Sequence, residues 1–529
     1  MNILRRAFLK SFGGALAILL ATTLASVSAS QQPRPADRAT AAGQETGRAQ
    51  RQQGGRPEAR RGGQAGGQQR GRGGRGSANT EVFHTEVPAH PFDVILGRST
   101  RNSVTASVLA YADTEVYLEY GPRKGAYAAR TKPVRLEKGN PAEIVLDSLQ
   151  PDMQYYYRLR HRSGGGDWQA GEESWFHTQR APGSAFRFTV QADSHLDGGV
   201  TPELYARTLL NALADKPDFH IDLGDTFFPD KRQPDFKAAA PQYLAQRYYF
   251  GLLCHSAPLF FVVGNHDGEG GSRYDGTGDN MAAWSLGMRK RYLPNPRPDG
   301  FYTGNGTRDP VLGFLENYYA WEWGNALFVV LDPYWPTRGG RGVRDDNWNW
   351  TLGEEQYRWL KKTLEQSQAR FRFVFIHHPL GAKGQPIRGG IEAARYCEWG
   401  GKNEDGSDGF KQHRAGWEMP IHQLLVKNRV SILFHGHDHF FAKEELDGVI
   451  YQLVPQPGNA VRGGPPRNAE EYGYIHGDIL GAPGYIGVKV SDRQATIEYI
   501  RSYLPKDETE GRRNGETAHS YAIGAAREP

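Results

Sequence analysis

The second half of this chain repeats one pattern, a short apolar run closed at once by residues that carry chemistry. Phe186 to Ala192 leads into Asp193 and His195, and Phe219 to Leu223 into Gly224-Asp225. Leu259 to Val263 leads into Gly264-Asn265-His266-Asp267, and Phe371 to Ile376 into His377-His378-Pro379. Val430 to Phe434 is followed by Gly436-His437-Asp438-His439, and Leu327 to Leu331 is a further run of the same kind. Runs this short and this apolar read as strands buried on both faces. Helical segments lie between them. Thr201-Pro202 opens one that reaches about Lys216, with proline at its first position, and Glu354 to Gln368 is another. Strands interleaved with helices predict an α/β core of central β-sheets flanked by helices, and such sheets gather ligands at the carboxyl ends of their strands. Any one of these residues has an ordinary structural explanation, since glycine before Asp225, Asn265 and His437 also suits a tight turn. Their ordered recurrence at strand ends points to a site.

The donors are carboxylate, amide oxygen and imidazole. That mixture suits Mn, Fe or Zn, whereas Ca or Mg takes mainly oxygen. A carboxylate can bridge two ions, so the set supports two metal ions sharing Asp225. The five ordered motifs between Asp193 and His439 resemble the calcineurin-like metallophosphoesterase family. The resemblance implies that Asp193, His195, Asp225 and His439 hold the first metal ion, and Asp225, Asn265, His377 and His437 the second. It further implies that His266 is the acid near the leaving group, oriented by Asp267. The activity implied is a dinuclear-metal phosphoesterase that hydrolyses phosphate monoesters of small molecules by attack of a metal-bridging hydroxide. A phosphodiesterase acting on nucleotides or phospholipid headgroups is the alternative within the family. A catalytically dead cell-surface binding protein is the alternative outside it, and it predicts lost ligands. His378 and His435 stand beside the ligands, where contact with substrate and a structural role are both open.

Ahead of this core, from Glu81 to Thr178, alternating runs such as Ser103 to Leu109 and Glu115 to Tyr120 are separated by Gly, Pro, Asn and Asp. This predicts a small all-β sandwich at residues 80–181. Leu149, Pro151, Met153, Tyr155, Tyr157 and Leu159 fall on alternate positions and resemble the E–F corner of a fibronectin type III domain. Tyr155 would be the corner tyrosine, its hydroxyl bonded back to the main chain. A sandwich before the catalytic domain also resembles the purple acid phosphatase branch. That branch places a tyrosine three residues after the bridging aspartate, where this chain has Phe228, and it usually lacks the equivalent of His195. An all-divalent or mixed metal pair is therefore as much implied as a ferric site.

The ends of the chain differ from its middle. Residues 1–29 read as a signal peptide, and Arg5-Arg6-Ala7-Phe8-Leu9-Lys10 resembles a twin-arginine signal, so an exported bacterial protein, periplasmic or secreted, is expected. Residues 30–79 collapse to Gln, Gly, Arg, Ala and Pro and read as a disordered linker. Residues 1–30 carry +3 and residues 31–79 carry +7, so the remainder carries −5 against a total of +5. The folded part thus has no basic excess for nucleic acid. The catalytic domain is expected at 185–505, with Gly- and Asn-rich loops at 268–312 and 381–416 and a loose polar tail at 506–529. No transmembrane segment is expected in the mature chain, and its oligomeric state is open. Export permits a disulfide between Cys254 and Cys397 but does not establish one.

Overall fold

A computed structural model describes residues 82–338, 346–382, 388–459 and 469–525. The expected signal peptide at 1–29 and linker at 30–79 lie outside the described residues. No described helix is long and apolar enough to cross a membrane.

The β-rich region comes first. Phe92–Gly97, Val104–Ala110 and Ala142–Leu146 form an antiparallel three-stranded sheet. Thr114–Gly121, Gln154–Arg162 and Gln169–His177 form the spine of a second. Alternate residues of both, among them Leu96, Val108, Val116, Leu118 and Tyr157, close one apolar core between them. The Tyr155 hydroxyl accepts the Gln150 main-chain N–H at 2.8 Å, so it does bond back to the chain just upstream.

The larger part is built on two sheets. In a six-stranded sheet, Phe186–Gln191, Phe219–Asp222 and Leu259–Phe261 run parallel, and Gly484–Val490, Gln494–Arg501 and Thr517–Gly524 continue it antiparallel. An eight-stranded sheet has Ala326–Val330, Phe371–Phe375, Ile432–His435 and Val449–Leu453 parallel at its centre. The period of two decides which side each residue joins. Ala326, Phe328 and Val330 meet Phe186, Phe188 and Val190 between the sheets. Leu327, Val329 and Leu331 face the other way, onto Tyr357, Leu360 and Leu364 of helix Gly353–Gln366 and Ile421 and Leu424 of helix Ile421–Lys427. Leu259, Phe261 and Val263 likewise meet helices Pro202–Ala214 and Ala240–Cys254. Each such apolar side chain contributes about 1.5–3 kcal/mol on full burial, so strands apolar on both faces demand helices outside and a second sheet inside.

Two expectations change, and the cysteine pairing left open is decided. The tail from about Asp507 is not loose throughout, because Thr517–Gly524 pairs with Gln494–Arg501 as an edge strand. Tyr521 and Ile523, two apart, pack against the inter-sheet core. The loop expected at 268–312 contains helix Met281–Tyr292, started by Asn280, whose side chain accepts the Ala283 N–H. Cys254 and Cys397 are both free and buried, in the apolar clusters of two different helical layers.

Candidate metal centre

The carboxyl ends of parallel strands from both sheets converge, and the loops leaving them carry the seven expected ligands. Asp193, His195 and His439 form one group and Asp225, His377 and His437 another, with the ligand atoms of each group within 4.8 Å of one another. The groups adjoin. His377 Nε2 lies 3.1 Å from Asp225 Oδ2 and 4.0 Å from Asp193 Oδ1, and Asp193 Oδ1 lies 3.5 Å from His439 Nε2.

Whether these residues fit a metal pair is answered by the atoms left over. Asp193 Oδ1, His195 Nε2, Asn265 Oδ1 and His377 Nε2 are all buried with no hydrogen-bond partner. Four orphaned polar atoms at one place would be costly, since each unsatisfied buried group costs about 1–3 kcal/mol. Two cations would satisfy them together. The other edge of each imidazole is already engaged: His377 Nδ1 lies 2.8 Å from Leu223 O, and His195 Nδ1 lies 3.2 Å from Asp197 Oδ2. With a cation bound, that arrangement would keep the proton on Nδ1 and leave the Nε2 lone pair for the metal.

The loops reach this geometry through an uncommon backbone. Asp193, His195, Asp225, His437 and His439 have φ of 61°, 47°, 56°, 77° and 69°. Left-handed conformations in non-glycine residues cost about 1–3 kcal/mol each and persist only where the surroundings hold them. Here they are held. The Asp193 Oδ2 accepts the His437 N–H at 2.9 Å, tying the first ligand loop to the last. Gly436 is required there, because a Cβ would lie 2.8 Å from that same oxygen.

Residues 186–441 match the family model of the calcineurin-like phosphoesterases. The chain carries a calcineurin-like phosphoesterase domain. Among solved structures it is similar to purple acid phosphatase PPD1 from yellow lupin (Lupinus luteus) seeds, at 16% identity and TM-score 0.55, covering 82% of this chain and 74% of that one. It is similar also to PhoD, at 15% identity and TM-score 0.58, covering 83% of this chain and 92% of that one. A search of curated proteins found no match.

Beside the candidate metal groups of the phosphoesterase domain, the structure puts His266 in a different partnership from the one expected. Its Nδ1 lies 2.8 Å from Asp230 Oδ2, so the orienting carboxylate is Asp230. Asp267 cannot do this work because both its oxygens are spent on main-chain amides: Gly264 and Asp225 on one, Thr226 and Phe227 on the other. It ties the Asp225 loop to the Asn265 loop. Phe228 stacks on the His266 ring at 4.6 Å and 19° and meets His195 edge-on at 4.6 Å.

The electrostatics follow from burial of like and unlike charges together. Burial would lift the Asp225 carboxyl, but His377 and His266 hold it well below its usual range, and His439 and His195 similarly lower Asp193. Burial opposes charge on His195 and His377. The adjacent Asp193 and Asp197 carboxylates nevertheless bring His195 up to about 10, and the Asp225 charge brings His377 up to about 9. Burial wins at His439, pushed down to about 4, and at His378, also down to about 4. The cluster therefore draws in positive charge.

His378 lies against the second group, its ring 4.9 Å from that of His437, whereas both nitrogens of His435 are buried without a partner. Sequence reasoning missed Asp197, Asp230 and Tyr334. The Tyr334 hydroxyl is buried without a hydrogen-bond partner, and its ring lies 5.6 Å from His378. Asp197 and Asp230 follow ligands by two and five residues, which was the available signal.

Proposed function

We propose that this protein hydrolyses phosphate monoesters with two metal ions held by Asp193, His195, Asp225, Asn265, His377, His437 and His439. The observation that carries the reading is the set of four orphaned donor atoms, three in the two adjoining groups and one on Asn265, with a paired imidazole alongside. Two bound cations would lower the pKa of water and neutralise phosphoryl charge. The protein's own residues do the rest. Asp225 lies beside His377, its Oδ2 3.1 Å from that imidazole's Nε2, so that the two would hold one cation together. His266, held through Nδ1 by Asp230, presents Nε2 to the departing oxygen and supplies its proton. No side chain needs to become phosphorylated. The family resemblance supports a phosphoesterase, and the likeness to a purple acid phosphatase extends over the β-rich region as well as the core. The expectation of an exported protein rests on residues 1–29.

The test is hydrolysis of p-nitrophenyl phosphate and of bis(p-nitrophenyl) phosphate by the metal-loaded protein, before and after chelation. Monoester hydrolysis that chelation abolishes, and that Asn265→Ala or His439→Ala reduces nearly as far, is the expected result. Faster cleavage of the diester would make the protein a phosphodiesterase. Full activity without metal would overturn the reading.

A further inference from the structure

The segment just ahead of the β-rich region reaches the metal centre. The His84 N–H donates to Leu196 O at 2.7 Å, and Phe83 forms an antiparallel bridge with Asp197. These contacts seize the loop that carries His195, whose Nδ1 is held by Asp197. The Phe83 side chain acts on a different loop. Its ring lies 5.8 Å from that of Phe228, and the Arg232 guanidinium sits 4.1 Å over its centre. Phe228 is the ring that stacks on His266 and abuts His195, and Arg232 closes the short 3₁₀ turn Pro229–Arg232 that contains Asp230. Two consecutive residues thus bind, by main chain and by side chain, the two loops that orient a metal ligand and the proposed acid.

We propose that Phe83 and His84 are positioning residues of the phosphoesterase site, setting the His195 and His266 rings relative to one another through Asp197 and Phe228. The Phe228 side chain has no hydrogen-bonding group to fix it, so its tilt is decided by the rings around it. Removing Phe83 frees one side of Phe228, and both imidazoles that lean on it gain room to turn. A displacement of ~1 Å at a reacting group costs on the order of 10²-fold in rate, and loss of a partner that orients a metal ligand costs about 10–100-fold in metal affinity or activity. A form of the chain trimmed beyond His84 would lack this brace while keeping every ligand.

The part of the inference that concerns His266 rests on the phosphoesterase reading, whereas the part that concerns His195 does not. The experiment compares Phe83→Ala, Phe83→Leu and Phe83→Tyr in the full chain, and Phe83→Leu carries the test if the alanine variant does not fold. Zn²⁺ affinity is measured by competition with a chelator, and kcat and KM with an alkyl phosphate and with p-nitrophenyl phosphate at saturating metal. Phe83→Ala is expected to weaken metal binding about tenfold and to lower kcat for the alkyl phosphate about 10–100-fold, with KM little changed and p-nitrophenyl phosphate less affected. Phe83→Tyr, which keeps the ring, should restore both. Unchanged metal affinity and kcat would overturn the proposal, and so would equal slowing of both esters with no rescue by tyrosine. A wild-type protein inactive on every ester would instead defeat the phosphoesterase reading, and the metal-affinity comparison would still decide the brace.

Discussion

At the scale of single residues, the site separates side chains that hold ions from those that hold loops, and Asp267 and Asp230 show how sequence adjacency misleads. Asp267 follows His266 directly, but a loop turning back on itself sends neighbouring side chains apart, and its carboxylate gathers four amides. Asp230 is remote in sequence and adjacent in space. The two roles predict different failures. His266→Ala should slow an alkyl phosphate by roughly 10²–10⁴-fold and p-nitrophenyl phosphate much less, because a nitrophenolate leaves without a proton. Asp230→Asn should show the same pattern more weakly. Asp267→Asn should lose metal and slow both esters alike, since the loops bearing Asp225 and Asn265 come apart. Steady-state kinetics with parallel metal analysis distinguish these outcomes, and selective slowing of the alkyl ester by Asp267→Asn would contradict the assignment.

Among elements, helix Ala240–Cys254 does most to keep the strained loops in place. Gln242 and Gln246, one turn apart, face inward together. Gln242 donates to His195 O and Thr226 O, and Gln246 to Thr226 O and Ser194 Oγ. Burying glutamine for this purpose breaks the apolar stripe by which such a helix is read from sequence, which is why this helix went unread while Pro202–Ala214 and Gly353–Gln366 were legible. Gln242→Met preserves volume and removes the donor. It should cost about 1–3 kcal/mol of stability, measured by denaturant unfolding, and should weaken metal binding through the His195 loop. A neutral result on both would mean the loops hold themselves. A second element carries a pH signature. Glu444, on strand Phe441–Leu446, accepts the Ile391 N–H, and burial, then the neighbouring Glu392, pushes its carboxyl up to about 9. The folded pKa exceeds the unfolded value of about 4.3, so the fold favours the protonated form. Stability is full below the unfolded value and falls as pH rises toward the folded one. Glu444→Gln should therefore raise the Tm relative to wild type at pH 9, with the gap closing by pH 4. Parallel melting curves at all pH values would contradict this.

For the molecule as a whole, the metal centre and the fold are coupled through protons and through the β-rich region. His195 and His377 sit at about 10 and about 9 when no cation is bound, so both carry protons at pH 7 after chelation. Reloading metal should release them, and the apparent affinity should rise about tenfold per pH unit for each proton displaced. Calorimetry in buffers of different ionisation enthalpy measures that release, and a pH-independent affinity would refute it. The β-rich region is no separate appendage, for the described residues form one compact unit. Arg247, buried in the same helix that braces the loops, donates to Ser107 O at 3.0 Å, and the Tyr157 hydroxyl donates to His255 O at 2.6 Å. The sequence alone determined the central strands and the two amphipathic helices, and it named the residues that gather as two candidate metal groups, because strand burial and metal-donor chemistry are written in local residue types and spacing. It did not reveal the antiparallel strands that complete the six-stranded sheet near the C-terminus, the partners Asp197, Asp230 and Phe83, or the two free cysteines. Only the tertiary structure decided those, since strand pairing, the turn of each loop and the packing of both sheets choose which side chains meet, and no local pattern of residue types specifies that choice.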